Sequence, residues 1–330
     1  MYIGKINLGA VPLMLAPMED ITDPPFRKLC RELGADVVFT EFISSEGLSR
    51  DAATSLKKLD FAEQERPIGI QLFGNSVSAM THAARVALKY NPDFIDLNFG
   101  CPVRKIVNKG GGAALLRDIP LMLELTRAVV QAVDCPVTVK TRLGWDEHSK
   151  PIVELAGRLQ DTGISALTIH GRTRAQAYGG QADWSLIGEV KRQPGIDIPI
   201  VGNGDITDGP SAGKMIETTG VDGLMIGRAA IGNPWIFREI RYFLETGRTA
   251  EPPTLDERID LISRHISHAL AWHGNKTALF EIRKHYGRYF RGFPDFKRFK
   301  MMLMQADEHQ QLQDILNIIH EYYTKQNFVP

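Results

Sequence analysis

The chain has 330 residues, 43% of them hydrophobic and 24% charged, with 39 basic side chains against 39 acidic ones. That length suits an α/β barrel of about 250 residues plus a smaller appendage, and a balanced net charge leaves any nucleic-acid partner to a local patch. Three cysteines, Cys30, Cys101 and Cys135, without Cys-x-x-Cys spacing exclude a disulfide framework and a thiolate zinc site, fit a reducing compartment, and leave no metal site expected.

The N-terminal stretch MYIGKINLGAVPLML has no long apolar core, and no run approaches the ~20 residues of a membrane span, so a cytoplasmic protein without a membrane partner is expected. Eight short apolar runs then recur in order: LMLAPM (13–18), VVFTEF (37–42), IGIQLFG (68–74), FIDLNFG (94–100), VTVKTR (137–142), ALTIHGR (166–172), IPIVGNG (198–204) and GLMIGR (223–228). Helical patterns such as SVSAMTHAARVALKY and IPLMLELTRAVVQAV follow most of them. Strands buried on both faces and alternating with helices imply a parallel sheet. Eight such units predict a (β/α)8 TIM barrel over residues 1–250. The alternative, a doubly wound open sheet, wants a Gly-x-Gly-x-x-Gly turn after the first strand; APMEDITDPP has none. TAEPPTL reads as a linker, and helical stretches near 254–273, 275–291 and 307–324 predict a small all-helical domain over 251–330.

Functional groups of a TIM barrel sit at the C-terminal ends of its strands. Those ends carry Gln71, Asn98, Lys140, Arg142, His170, Arg172, Asn203, Asp205 and Arg228. Any one is an ordinary strand-end polar group; so many together predict a ligand site. VGNGDI and IGRAAIGNP are glycine-rich turns after the last two strands, the usual phosphate position of this fold, although glycine also serves tight turns alone. GPSAGKM has the wrong spacing for a triphosphate loop. A phosphate site with Lys140 across the barrel suits flavin mononucleotide (FMN), whose reduced ring carries charge that a lysine stabilises. Gln71 then suits the pyrimidine edge of the ring, and LAPM its underside.

Cys101 sits on the Gly-Cys-Pro corner of FIDLNFGCPVRK. Glycine permits the tight turn and proline stiffens it, which aims the thiol at the barrel mouth. A thiol with an ordinary pKa of about 8.5 is protonated near pH 7 and suits protonation of an enolate carbon. A semi-buried structural cysteine is the other reading; Cys30 and Cys135 are assigned to packing or surface.

LAPMEDITDPPFR, QLFG, DLNFGCPVRKIVNKGGGAALL, VTVKTRLGW, LTIHGRTRAQAYGGQADW, VGNGDI and GLMIGRAAIGNPW together resemble the tRNA-dihydrouridine synthases, nearest the bacterial B type, in order over residues 13–238. The resemblance implies an FMN enzyme, re-reduced by NADPH or NADH, that converts a tRNA uridine to 5,6-dihydrouridine, with a D-loop target. It implies Ala16, Pro17 and Met18 lining the flavin, Gln71 and Lys140 on its ring, and His170 as a neighbour. Asn203, Gly204, Asp205, Gly227 and Arg228 match the phosphate-side motifs, Cys101 matches the proton donor, and Asn98 and Arg142 face the uracil.

Residues 283–300 hold seven basic side chains, including Arg288 and Lys297, against Asp295 alone. Tyr286, Tyr289, Phe290, Phe293, Phe296 and Phe299 are interleaved; such rings either stack on bases or fill a core. With Arg104, Lys105, Arg172 and Arg174 nearer the mouth, they sketch a basic track for tRNA. Nothing in the sequence demands more than a monomer. Two other functions share parts of the pattern: a flavin reductase of a free small molecule, which needs no basic tail, and a non-catalytic RNA-binding module, which needs no flavin.

Overall fold

The computed structural model describes residues 1–326; the last four residues of the 251–330 segment lie outside the described residues. The barrel strands are β1 (Leu13–Leu15), β2 (Val38–Phe39), β3 (Ile68–Phe73), β4 (Phe94–Asn98), β5 (Val137–Arg142), β6 (Ala166–His170), β7 (Ile200–Asn203) and β8 (Gly223–Ile226). Each falls inside one of the eight apolar runs. All neighbouring pairs are parallel, and β8 pairs with β1 in the register Leu224↔Leu13 and Ile226↔Leu15. The ring closes between β1 and β2 through a parallel bridge at Met14↔Val37, with Leu15 N–H donating to the Val37 carbonyl at 2.9 Å. The VVFTEF run is interrupted: after β2 the chain leaves the ladder and only Ile43–Ser44 returns to pair with β3.

Helices between the strands start where the sequence supplies caps. Asp23 accepts from Phe26 N–H ahead of Pro24–Glu32, Ser76 from Ala79 N–H ahead of Val77–Leu88, and Asp118 from Leu121 N–H ahead of Ile119–Ala132. Their apolar faces bury against the outside of the strands, forming the main core. The barrel interior is a separate apolar cluster of Met14, Phe39, Phe94, Ala166, Val201 and Met225. An N-terminal hairpin, Tyr2–Ile3 antiparallel to Ile6–Asn7, adds Ile3 and Leu8 to that cluster and closes the N-terminal end of the barrel. The sequence pattern does not announce this hairpin, because each arm has only two residues.

Four helices follow: Leu255–His273, Asn275–Tyr289, Lys297–Gln305 and His309–Lys325. The third has no counterpart among the expected helical stretches; its charged first turn, Lys297-Arg298-Phe299-Lys300, hides a short apolar face. The interleaved aromatics resolve to core. Tyr286, Tyr289, Phe290, Phe293, Phe296 and Phe299 are each at most 8% exposed and pack with Leu303, Leu312 and Tyr323 in a cluster that reaches Leu29 and Trp235 of the barrel. Their rings face one another, as in the Phe290–Phe296 stack at 4.5 Å, so base stacking on them is ruled out. Lys297 and Arg288 remain exposed. No described helix is long and apolar enough to cross a membrane.

Candidate active site

A cavity of about 1280 Å³ opens at the C-terminal ends of the strands. Ala16, Pro17, Met18, Asn98, Cys101, Lys140, Arg142, His170, Asn203, Gly204, Asp205, Gly227 and Arg228 all line it. It continues under the helical domain, where Arg288 lines it and donates from Nη1 to the Arg228 carbonyl.

The corner that carries Cys101 is fixed from three sides. Asn98 Oδ1, at the end of β4, accepts from the N–H groups of Gly100 at 3.1 Å and Cys101 at 2.9 Å. Arg142 Nε donates to the Gly100 carbonyl at 2.7 Å. The Cys101 carbonyl accepts from Ala113 N–H at 3.1 Å, and Gly112 comes so near, at φ +57°, that a Cβ there would sit 2.9 Å from that oxygen. The thiol lies in the cavity wall, 8% exposed. Burial raises its pKa above the ordinary value; a Val103 N–H bond and the charges of Arg142 and Lys140 pull back only in part. At neutral pH it holds its proton.

On the neighbouring strand, in register with Asn98, stands Lys140 of β5, with Nζ 3.1 Å from Asn203 Oδ1. Asn203 is oriented in turn by donating from Nδ2 to the Met225 carbonyl at 2.7 Å. Burial, then the like charge of Arg142, lower the Lys140 pKa to about 8, against the pull of Asp96 and Cys101. His170 is held neutral by burial and the cations around it, and its Nδ1 is buried with no hydrogen-bond partner. That atom is an unpartnered polar group just behind the wall, available to a ligand. Gly204, in the cavity wall, bears φ +116°, where a Cβ would sit 3.0 Å from Ala182 Cβ, so the turn after β7 requires glycine.

Several arginines depart from the expected substrate contacts. Arg142 gives Nη1 to the carbonyls of Thr173 at 3.0 Å and Ala177 at 2.8 Å, besides its bond to Gly100. It therefore ties the Cys101 corner to the loop after β6 while one face still borders the cavity. Arg172 is 2% exposed and spends its guanidinium on Gly179, Gly180 and Asp205, with Nη2 2.7 Å from Asp205 Oδ2. It holds two loops together and has no surface for RNA. Arg174 lies over the Trp145 ring at 4.5 Å. Arg104 and Lys105 are exposed on the short helix Arg104–Val107 beside Cys101. Gln71 is fully buried and is absent from the cavity lining; it donates to Asp96 at 2.6 Å and accepts from Asn98 at 2.8 Å.

Sequence reasoning passes over Tyr178, 54% exposed in the cavity wall with Arg142 and Arg228 over its ring at 5.8 and 5.2 Å. Its signal is an aromatic ahead of the Gly179-Gly180 turn. Arg291, one of the basic side chains of 283–300, lines the cavity, as do Glu239 and Arg258, which carry no sequence signal; the last two lie on elements whose relation to the mouth only the tertiary fold supplies.

The dihydrouridine synthase (Dus) family profile matches residues 14–326. The chain belongs to the dihydrouridine synthase family. Among curated relatives, the tRNA-dihydrouridine synthase B of Pseudomonas putida is 42% identical over 299 residues, covering 90% of this chain and 88% of that one. A probable tRNA-dihydrouridine synthase 1 of Synechocystis is 38% identical over 318 residues, covering 96% and 88%. Two solved structures resemble the chain in fold alone. A 2-naphthoyl-CoA reductase complex gives a TM-score of 0.58 at 12% identity, covering 73% of this chain and 52% of that one. Morphinone reductase in complex with tetrahydroNAD gives 0.52 at 14% identity, covering 76% and 91%.

Proposed function

We propose that the protein reduces the C5=C6 bond of uridines in tRNA to 5,6-dihydrouridine, with FMN as cofactor, NADPH as reductant (NADH serving in its place) and Cys101 as the proton donor. The observation that carries this reading is the Cys101 thiol, kept protonated by burial on the wall of the same cavity as Lys140 and the turn at Gly204. The residues fit the cofactor. His170 Nδ1 offers an unpartnered buried polar atom, Lys140 a cation, the turns at Gly204–Asp205 and Gly227–Arg228 a seat for phosphate, and Ala16 a small side chain for a flat ring.

When bound, FMN supplies the hydride that adds to uracil C6. The chain's own groups do the rest. Cys101 gives its proton to C5, and Asn98 and Arg142 keep the thiol from wandering by fixing the backbone on both sides of Gly100. Lys140 would supply positive charge to balance the negative charge of a reduced ring held in the cavity. The uridine must leave its stack to enter a cavity of this depth. Arg104 and Lys105 beside Cys101, Arg288 in the cavity wall and Lys297 on the helical domain supply exposed positive charge for the tRNA backbone, and a D-loop uridine is the target.

The test is Cys101→Ala. A general acid typically contributes about 10²–10⁴-fold, so uridine reduction is expected to fall by that order while reduction of the bound flavin by NADPH is unchanged. Full tRNA activity in that variant would remove the assignment. Free uridine, offered in place of tRNA, is expected to be a poor substrate; efficient turnover of it would favour a small-molecule reductase instead.

A further inference from the structure

Beneath the Cys101 corner runs a chain of side-chain hydrogen bonds that begins at a buried carboxylate. Thr138 Oγ1 donates to Asp96 Oδ1 at 2.5 Å and Gln71 Nε2 donates to Asp96 Oδ2 at 2.6 Å. Asn98 Nδ2 donates to Gln71 Oε1 at 2.8 Å, and Asn98 Oδ1 accepts the N–H groups of Gly100 and Cys101. The parallel register produces the row, setting Gln71 beside Asp96 and Asp96 beside Thr138 across β3, β4 and β5. Asp96 is 1% exposed and Gln71 0%.

We propose that Asp96 is a positioning residue for the proton donor: its carboxylate sets the direction of the Gln71 and Asn98 amides, and through them aims the Cys101 thiol. This deepens the proposed function and rests on it for the thiol's role. The reasoning is directional. An ionised carboxylate only accepts hydrogen bonds, so Gln71 must turn its NH₂ toward Asp96 and its oxygen toward Asn98. Asn98 must then offer NH₂ to Gln71, which leaves its oxygen for the two backbone N–H groups. With Asn98 reversed, donors would face donors at the corner; with Gln71 reversed, its oxygen would face the carboxylate and its NH₂ that of Asn98. A buried carboxylate is costly, and a neutral amide of the same shape lacks this one-way character. Burial raises the Asp96 pKa to about 6, opposed by the bonds from Gln71 and Thr138 and by the charge of Lys140, so the group is ionised at neutral pH. Lys140, on β5, is the charged group that bears on it; Gln71 on β3 and Thr138 on β5 are its other polar neighbours.

The test uses flavin-loaded Asp96→Asn and Thr138→Val. In Asp96→Asn a freed corner is expected to raise Cys101 alkylation by iodoacetamide about tenfold through local opening. Its kcat on tRNA is expected to fall about 10²-fold from misplacement of the donor, with KM for tRNA and flavin reduction by NADPH unchanged. The fall in kcat expected below about pH 6 in the unaltered protein should be absent. Thr138→Val keeps the carboxylate but removes a bond that lowers its pKa, so the acid limb should move to higher pH. Unchanged alkylation and kcat in Asp96→Asn, or an unmoved acid limb in Thr138→Val, would overturn the proposal. Alkylation reads the corner without the reaction, so a fully active Cys101→Ala would sink the proton-donor role while leaving this readout to judge the positioning.

Discussion

Burial reverses the usual order in which a lysine and a cysteine lose their protons. Lys140 comes down to about 8, whereas the Cys101 thiol goes up from its ordinary value. As pH rises, the ammonium is therefore lost first. The expected basic limb of uridine reduction belongs to Lys140, with activity falling as pH climbs through about 8. Lys140→Arg, whose guanidinium keeps its charge, is expected to move that limb toward the thiol's own higher pKa. A pH profile of kcat/KM for both forms checks this, and an identical limb in the two would assign it to another group. Gly204→Ala belongs at the same scale. Its positive φ and the 3.0 Å approach to Ala182 predict a loss of about 1–3 kcal/mol and poorer flavin retention, read from Tm and from the flavin absorbance of the purified protein. Cys101, Lys140 and the two glycine-rich turns were legible because each breaks a strand pattern at its end. The inward duties of Arg172 and Gln71 were not, since a strand-end polar residue reads the same whether it meets a ligand or a neighbouring carbonyl.

Among the elements, the junction between barrel and helical domain stands on two buried histidines. The Phe26 ring packs against His265 at 5.7 Å and His285 at 4.7 Å between centroids. His285 Nδ1 accepts from Gly232 N–H at 3.2 Å, and His265 Nδ1 lies 2.8 Å from the Tyr289 hydroxyl. Burial lowers both to about 3; His285, Asp23, His268 and His273 bear on His265, and Lys284 and Arg288 on His285. The folded pKa lies below the unfolded value of about 6.5. Stability from these groups is thus complete above pH 6.5 and is lost as pH falls from there toward 3. The expected loss is about 1.4 kcal/mol per pH unit per histidine, visible as a falling Tm between pH 6.5 and 4. His285→Gln, which retains an acceptor for Gly232, should flatten that slope; an unaltered slope would exonerate the junction. Period and length located the helices Leu255–His273, Asn275–Tyr289 and His309–Lys325 from sequence. The fate of the aromatics between them was undecided, because Phe and Tyr spaced for a helix face serve a core and a binding surface alike.

For the whole molecule, a neutral total of 39 basic and 39 acidic side chains leaves the tRNA affinity of the proposed function to local groups of exposed cations. Lys297→Glu and Arg104→Glu are expected to weaken binding at every tRNA sequence and to reduce the salt slope by about 1 for each phosphate no longer neutralised. A titration at several salt concentrations measures both, and unchanged slopes would move the RNA to another face. Arg288 is a poorer test, since its bond to the Arg228 carbonyl also joins the two parts of the chain.

The hairpin that carries Ile3 and Leu8 has a kinetic corollary. With the barrel floor stoppered, the cavity opens at the mouth, at the C-terminal ends of the strands. On the proposed function, nicotinamide and nucleobase would share that mouth, so excess tRNA should slow the reductive half-reaction by simple obstruction.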